Sequence, residues 1–287
     1  MIVFDEIWSL IAHHTVLNRF KVANIHTLLR KTLDAGLEGD VGECGVYKGG
    51  VSLLMAKTIV DLGLTKKVFM FDSFLGLPEL NQQKDLPFYR AGALKATMIS
   101  VQEAISELSV KEIVDVRPGW FKDVLPKLQD EQRFAFLHID CDLYDSTKTC
   151  LEQLYDRVVE GGVMVFDDYF DVGGGERKAV DEFLENRDDE LLFAGPIEQV
   201  FFFKGRQKRG TDSGYLLPWT GYDDGRPVSL EFIAKDSAYL NFLAEGQFMT
   251  ELPGGSLSGA VRLATQTLAV YRHHQAILEM LTGKPMA

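Results

Sequence analysis

The sequence predicts an α/β protein built on an open, doubly wound and mostly parallel sheet of seven strands. Short, near-continuous apolar runs alternate with segments of helical periodicity, which is typical of parallel strands joined by helices. An apolar run of this kind indicates a strand that is covered on both faces. The predicted parallel strands lie at residues 39–46, 66–72, 112–119, 133–140 and 161–168, and residues 190–195 and 198–205 are close enough to form a hairpin.

The predicted helices lie between these strands, at residues 50–62, 100–110, 145–158 and 175–187. Ser100 and Glu103 have the spacing of a capping box, which predicts that Ser100 caps the second of these helices. Asp145 or Ser146 is predicted to cap the third, because short polar side chains accept hydrogen bonds from the first backbone N–H groups of a helix.

Two segments outside this alternation also have recognisable patterns. Residues 5–34 have the pattern of helices, and we expect them to cover the ligand-binding edge of the sheet or to form a subunit contact. Residues 75–95 form a long and weakly patterned connection, and connections of this length are often lids or binding loops.

The pattern of the chain changes after residue 204, where Gly, Pro and Asp become frequent. We therefore predict a domain at residues 1–204, in which residues 1–38 form a helical N-terminal cover. Residues 205–287 are predicted to be a C-terminal extension that ends in an amphipathic helix.

The chain of 287 residues carries a formal net charge of −12, and the acidic excess lies in residues 1–204. That part holds 22 Lys and Arg against 34 Asp and Glu, whereas residues 205–287 hold 8 of each kind. An acidic surface argues against nucleic acid or an anionic membrane as a partner. No apolar run reaches transmembrane length, the start lacks a signal-peptide pattern, and the three cysteines lack zinc-site spacing. We expect a cytosolic homo-oligomer, such as a dimer, with reduced thiols and a small-molecule substrate.

A glycine-rich turn, GECGVYKGG at residues 42–50, follows the first predicted strand and opens a helix. Glycine there allows a ligand to approach the backbone closely, but the pattern is not the dinucleotide fingerprint. Glu43 would repel a pyrophosphate and suits a ligand that carries an amine. Asp72, at the end of the second strand, could accept the hydroxyl groups of a ribose. Together these features favour S-adenosylmethionine over NAD, with a tight turn that binds no ligand as the alternative.

Paired aspartates end two further strands, in FLHIDCDLYDST (residues 136–147) and in GGVMVFDDYF (residues 161–170). Asp140, Asp167 and Asp168 would meet at one edge of the sheet, where like charges repel and raise one another's pKa values. A hard divalent cation resolves this repulsion, and oxygen ligands favour Mg²⁺, with Mn²⁺ or Ca²⁺ as alternatives. The other interpretation is that these are solvated aspartates at strand ends.

Several motifs in this order resemble the macrocin O-methyltransferase (TylF-like) family, and the resemblance runs from about Arg19 to Lys204. The motifs are GDVGECGVYKGG, FDSFLGLPE, GWFKDVLP, HIDCDLYDST, DDYF and AVDEFL. Members of the family transfer methyl groups from S-adenosylmethionine to sugar hydroxyls of antibiotics such as macrolides and aminocoumarins. The resemblance implies a Rossmann-like fold of the class I methyltransferases.

The resemblance also implies roles for individual residues. It places a divalent metal on Asp140, Asp167 and Asp168 and a general base at Asp142. The residues that it implies for the cofactor pocket are Glu43, Gly45, Tyr47, Ser52, Asp72, Ser73, Gly119, Trp120 and Phe121. The chain departs from the family pattern at Tyr47, where tryptophan is expected, at Cys44, where threonine is expected, and at Cys141, where glycine is expected. A side chain at Cys141 could narrow the acceptor site.

These observations predict a Mg²⁺-dependent and S-adenosylmethionine-dependent O-methyltransferase of specialised metabolism. Its acceptor would be a hydroxyl of a glycosylated or polyhydroxylated natural product. Three alternatives stay open. They are a methyltransferase with a catechol-like or amine acceptor, an NAD-dependent reductase, and a binding or assembly protein that retains the fold without catalysis.

Overall fold

The strands of the sheet lie in the order β3-β2-β1-β4-β5-β7-β6, which confirms the predicted fold class. The computed structural model describes residues 4–87, 89–169, 174–193 and 199–206, all of which belong to one compact unit. The predicted C-terminal extension and its amphipathic helix lie outside the described residues. The strands are β1 Asp40–Cys44, β2 Val68–Asp72, β3 Val114–Pro118, β4 Phe134–Ile139, β5 Val158–Phe166, β6 Leu192–Phe193 and β7 Val200–Phe203.

The first five strands are parallel, and β1 pairs with β2 on one side and with β4 on the other. The chain therefore leaves β1 and β4 in opposite directions across the sheet. A crevice forms at such a point beyond the carboxyl ends of the strands, and it is the usual ligand site of this architecture. The predicted hairpin is confirmed by the antiparallel pairing of β6 with β7, which also pairs antiparallel with β5.

Helices cover the sheet and place their first turns at this crevice. The N-terminal helices pack with the helix that follows β1, and the helix after β4 packs on the helix after β5. No helix in the described residues is both long enough and apolar enough to cross a membrane. The helices are α1 Phe4–Ile11, α2 Arg19–Asp34, α3 Gly50–Asp61, α4 Met98–Glu107, α5 Phe121–Val124, α6 Tyr144–Leu154 and α7 Gly175–Leu184.

Two helix starts differ from the prediction. Helix α4 begins at Met98 and is capped by Thr97, whose side chain accepts a hydrogen bond from the backbone N–H of Ser100. The capping-box assignment was therefore wrong, because Thr97 lies earlier and meets the same requirement. Helix α6 begins at Tyr144, so Asp145 and Ser146 lie in its first turn and neither caps it.

The cap of α6 comes from another part of the chain. The backbone N–H of Tyr144 donates to Asp85 Oδ1 at 2.7 Å, and Asp85 belongs to the long connection at residues 75–95. A second contact joins the same connection to α7, because Lys178 Nζ donates to the carbonyl of Lys84 at 2.5 Å. The connection is thus attached to the helices that follow β4 and β5, and its conformation depends on them.

The core lies on both faces of the central strands, as their apolar sequences predict. Phe71, Phe134, Phe136, Phe166 and Phe202 are fully buried. Burial of a side chain of this size stabilises the fold by roughly 1.5–3 kcal/mol. The rings of Phe71 in β2 and Phe134 in β4 pack edge to face within the sheet, on either side of β1. This packing makes the sheet a rigid support for the loops that leave its carboxyl edge.

Candidate active site

A cleft opens at the carboxyl edge of the sheet, where the chain leaves β1 and β4. Seven of the nine residues predicted for the cofactor pocket line it: Gly45, Tyr47, Asp72, Ser73, Gly119, Trp120 and Phe121. Asp140 and Asp142, which were predicted for the metal and for the general base, line the same cleft. Glu43 and Ser52 do not line it, and both are buried beneath it.

Gly45 brings the two halves of the cleft together. Its φ angle is +91°, and a Cβ atom at this position would lie 1.7 Å from the carbonyl oxygen of Asp140. The backbone N–H of Asp140 donates to the carbonyl of Cys44 at 2.9 Å. Only glycine permits both this angle and this approach. The turn that follows β1 therefore touches the backbone of the acidic segment that follows β4.

Asp72 organises the other side of the same turn. Its Oδ2 accepts hydrogen bonds from the backbone N–H groups of Val46 at 2.8 Å and Tyr47 at 2.9 Å, and its Oδ1 accepts one from Phe74 at 2.7 Å. Burial raises the pKa of Asp72, although these backbone donors act in the opposite direction. A ribose hydroxyl would therefore share this carboxylate with the backbone of the glycine-rich turn.

The connection at residues 75–95 forms one wall of the cleft, through Gly76, Leu77, Pro78 and Leu94. It begins with a tight turn in which Ser73 Oγ donates to the carbonyl of Gly76 at 3.1 Å. Backbone hydrogen bonds of 2.8 Å from Leu77 to Ala93 and from Gly92 to Leu77 close the segment on itself. The predicted binding loop thus contributes apolar residues to the lining of the cleft.

The predicted metal residues lie in two overlapping groups of possible ligands, and of the three only Asp140 lines the cleft. Oxygen atoms of Asp140, Asp142 and Asp168 lie within 4.8 Å of one another, and a second such group contains His138, Asp140 and Asp167. Burial and the neighbouring carboxylates Asp167, Asp168 and Asp142 raise the pKa of Asp140 well above its ordinary value. This crowding is the electrostatic situation that a divalent cation relieves.

Asp167 is more closely paired with Lys21 than its neighbour Asp168 is. It is fully buried, and Lys21 Nζ of α2 lies 2.6 Å from its Oδ2. Lys21 Nζ is also 3.6 Å from Asp168 Oδ1. Burial would raise the pKa of Asp167, but Lys21 and His138 outweigh it and lower that pKa. Burial would likewise lower the pKa of Lys21, but Asp167 and Asp168 raise it above its ordinary value.

Sequence reasoning missed Glu176, in the first turn of α7. Its side chain is fully buried, and its Oε1 accepts a hydrogen bond from the backbone N–H of Asp168 at 2.8 Å. Its Oε2 is buried without a hydrogen-bond partner among the described residues. Burial and the nearby Asp168 and Asp167 raise its pKa well above the ordinary value. The glycine run before this helix was a signal of close approach, although no motif identified the glutamate.

The residues present fit a divalent cation on grounds of charge. Five acidic side chains meet at this edge, and the cations that face them among the described residues are Lys21 and His138. The carboxylate oxygens are the hard ligands that Mg²⁺ and Mn²⁺ accept. Glu176 Oε2 is a further buried polar atom at this edge that lacks a hydrogen-bond partner among the described residues. Lys21 was not predicted, because nothing in the pattern of α2 distinguishes it from a solvated lysine.

Solved structures of methyltransferases share this fold. The O-methyltransferase NovP is 28% identical with a TM-score of 0.59, and the match covers 68% of this chain and 83% of NovP. The calicheamicin methyltransferase CalS11 also has a TM-score of 0.59, at 20% identity, and covers 70% of this chain and 91% of its own. At that identity the likeness to CalS11 concerns the fold alone. The architecture and the sequence likeness to NovP define a methyltransferase-type domain.

The chain belongs to the macrocin-O-methyltransferase (TylF) family, whose model matches residues 6–200. It is 32% identical over 170 residues to 8-demethyl-8-(2,3-dimethoxy-alpha-L-rhamnosyl)-tetracenomycin-C 4'-O-methyltransferase of Streptomyces olivaceus, which covers 56% of this chain and 64% of the relative. It is 30% identical over 191 residues to demethyldecarbamoylnovobiocin O-methyltransferase of Streptomyces niveus, and this match covers 62% of this chain and 71% of the relative. The chain thus matches about two thirds of the length of these relatives. The resemblance to this family is confirmed.

Proposed function

We propose that this chain is an S-adenosylmethionine-dependent O-methyltransferase that binds its acceptor at a divalent cation. The observation that carries the proposal is the shared cleft, which is lined both by Asp72 and Trp120, the proposed donor end, and by Asp140 and Asp142, the proposed acceptor end. Contact between Gly45 and Asp140 holds the two ends together. A methyl donor at the first end would direct its methyl group towards an acceptor at the second.

In this proposal the glycine-rich turn and the end of β2 bind the methyl donor. Gly45 lets the turn pack against the backbone of Asp140, and Asp72 would accept a ribose hydroxyl. Ser73, Gly119, Trp120 and Phe121 shape the remaining walls, and Tyr47 closes the turn beside Asp72. Binding of the donor here would hold its methyl carbon in line with the attacking oxygen, and such positioning supplies much of the rate enhancement of a bimolecular reaction.

The aspartates at the other end would hold the cation and receive the proton. Asp140, Asp167 and Asp168 are the proposed ligands, and a bound divalent cation would lower the pKa of the acceptor hydroxyl. Asp142 would accept the hydroxyl proton as the oxygen–carbon bond forms and the carbon–sulfur bond breaks. Lys21 and His138 keep Asp167 ionised by their charge, so that it stays available as a ligand.

The acceptor that we propose is a sugar hydroxyl of a glycosylated natural product. The names of two relatives, which give a rhamnosyl-tetracenomycin and demethyldecarbamoylnovobiocin as acceptors, support this class. The apolar wall formed by Leu77, Pro78 and Leu94 would contact the less polar part of such a molecule. We propose residues 1–204 as the catalytic unit and residues 205–287 as an extension to it.

Calorimetric titration with S-adenosylhomocysteine tests the cofactor, first with Mg²⁺ and then with a chelator. We expect binding in both conditions, because the two ends of the cleft use different residues. Methyl transfer to glycosylated acceptors should then require the cation. Absence of binding in both conditions would contradict the proposal, and transfer that survives chelation would favour an amine acceptor instead.

A further inference from the structure

Glu43 is directed into the protein rather than towards the cofactor cleft. It is buried to 2% exposure, and it does not line the cleft that Gly45 and Asp72 line. One of its oxygens accepts a hydrogen bond from the hydroxyl of Ser52, and the other lies 3.1 Å from His138 Nδ1. Both carboxylate oxygens are therefore engaged by buried side chains.

The strand register places Glu43 and His138 side by side. They are direct partners in the parallel pairing of β1 with β4, so their side chains lie on the same face of the sheet. Because a carboxylate can only accept, His138 Nδ1 acts as the donor in this hydrogen bond to Glu43. The contact orients the imidazole ring. Hydrogen bonds between a carboxylate and one ring nitrogen commonly fix the direction of the other nitrogen.

The other nitrogen, His138 Nε2, is aimed at Asp167. It is buried without a hydrogen-bond partner among the described residues and lies 3.5 Å from Asp167 Oδ1. Burial alone would lower the pKa of His138, but contact with Asp167 and Glu43 raises it to about 9. The same Oδ1 accepts a hydrogen bond of 2.5 Å from Gln199 Nε2, and Lys21 Nζ lies 2.6 Å from Oδ2. Asp167 is thus held on three sides, and His138 forms the side that faces β1.

We propose that Glu43 is a positioning residue for the metal edge, which acts through His138 on the orientation of Asp167. This inference rests on the proposed function, and it replaces the role of cofactor ligand that the resemblance implies for Glu43. An amine in the cleft would have to share this buried carboxylate with Ser52 and His138. Groups that orient metal ligands affect metal affinity by about 10–100-fold when they are changed.

Two substitutions of His138 distinguish a role in positioning Asp167 from a role in core packing alone. His138→Asn keeps a donor for Glu43 but is too short to face Asp167, whereas His138→Gln keeps a donor towards Asp167. The measurements are Mn²⁺ titration followed by the electron paramagnetic resonance of the free ion, and calorimetric titration with S-adenosylhomocysteine. We expect His138→Asn to weaken Mn²⁺ binding by about 10-fold or more and His138→Gln to restore it to within about 3-fold of wild type. S-adenosylhomocysteine affinity should change by less than about 2-fold in both.

Glu43→Gln tests the contact between Glu43 and His138, with Glu190→Gln as the matched control. Glutamine keeps the shape but loses the charge-assisted bond to His138, so Mn²⁺ binding should weaken by about 3–10-fold. Glu190 is also buried and pairs with Arg206 Nε at 2.9 Å, but it does not line the cleft, so Glu190→Gln should leave both affinities within about 2-fold. Loss of S-adenosylhomocysteine affinity in Glu43→Gln, with Mn²⁺ affinity unchanged, would overturn the inference and restore the cofactor role.

The wild-type titrations separate this inference from the proposed function. If the wild type binds S-adenosylhomocysteine but no Mn²⁺, the metal part of the proposed function fails, and the inference fails with it. If the wild type binds both and His138→Asn behaves like wild type, only the inference fails. Equal losses of Mn²⁺ affinity in His138→Asn and His138→Gln, together with equally lowered melting temperatures, would also overturn it, because a structural role predicts that result.

Discussion

The two ends of the cleft stabilise carboxylates by different means. Asp72 accepts hydrogen bonds from the backbone N–H groups of its own loop and of the neighbouring turn, at 2.7 to 2.9 Å. The aspartates at the other end face side chains instead of backbone N–H groups. The cationic side chain of Lys21 contacts Asp167 and Asp168. Lys21 lies 2.6 Å from Asp167, whereas the pKa of Asp140 is raised by burial and by the carboxylates around it.

The difference indicates which end is complete without a ligand. Backbone donors belong to the local structure, so the Asp72 end is organised as soon as the turn forms. The aspartate end carries more negative charge than its described cations neutralise, and close carboxylates repel one another strongly in a partly buried site. We therefore expect substitutions at the two ends to separate cofactor binding from metal binding, and stability from activity.

The largest effect is expected from Asp140→Asn. It removes a proposed metal ligand, and methyl transfer should fall by roughly 100-fold or more, since even indirect partners of a ligand cost about 10–100-fold. The melting temperature without metal should be unchanged or higher, because one of the repelling charges is gone. Enzyme assays with saturating Mg²⁺ and thermal denaturation check the two expectations.

Binding of S-adenosylhomocysteine is the control for Asp140→Asn, and it should stay within about 2-fold of wild type, because the substituted side chain does not touch the Asp72 end. Turnover equal to that of wild type would rule out a metal role for Asp140. A large loss of S-adenosylhomocysteine affinity would show that the two ends are not separable in the way that their contacts suggest.

A smaller effect, on cofactor binding rather than on metal binding, is expected from Asp72→Asn. An amide offers one oxygen instead of two, so at least one backbone N–H loses its acceptor, at a cost of about 1.5–3 kcal/mol for a bond to a charged group. We expect S-adenosylhomocysteine affinity to fall by about 10-fold and the melting temperature to fall by several degrees. Mn²⁺ affinity should stay close to that of wild type.

Asp85→Asn is the matched control for Asp72→Asn. Asp85 also accepts backbone hydrogen bonds, from Asn81 and Tyr144, but it does not line the cleft. It should lower the melting temperature without changing S-adenosylhomocysteine affinity. If both variants lower S-adenosylhomocysteine affinity equally, the effect of Asp72→Asn would reflect loop stability rather than contact with the ligand.

The comparison also explains how far the sequence could predict the site. The Asp72 end depends on residues that follow one strand or open one helix, and local patterns identify such residues. Asp140 and Asp167 were recognisable because each ends an apolar run. Their proximity at one edge of the sheet followed from the direction of parallel strands, without knowledge of any side-chain contact.

The side chains that contact Asp167 at the aspartate end could not be predicted in this way. Lys21 is separated from Asp167 by 146 positions and comes from a helix whose pattern has no distinguishing feature. The contact of His138 with Glu43 depends on the register between β1 and β4, which apolar periodicity does not determine. The cap of α6 by Asp85 is likewise a tertiary contact that replaced the local capping residues.

The smallest effect is expected at Cys141, which departs from the family pattern between the two aspartates. Although Cys141 borders the cleft, it is only 4% exposed, and its Sγ contacts the carbonyl of Cys44 at 3.5 Å and Cys150 Sγ at 3.7 Å. Burial raises its pKa to about 12, so the thiol is neutral near pH 7. The side chain therefore packs towards the core, where it restricts an acceptor little.

Cys141→Gly should accordingly change kcat/KM for a glycosylated acceptor by less than about 3-fold, while it lowers stability. The added backbone freedom costs about 0.5–1 kcal/mol, and the loss of a buried side chain adds to this cost. Cys141→Ala keeps the Cβ atom and should lose less stability at the same activity. Steady-state kinetics and thermal denaturation of the two variants show whether the Cys141 side chain packs in the core or narrows the acceptor site. A markedly lower KM for bulky acceptors in Cys141→Gly alone would mean that the side chain narrows the acceptor site, and that the two ends of the cleft differ in shape as well as in charge.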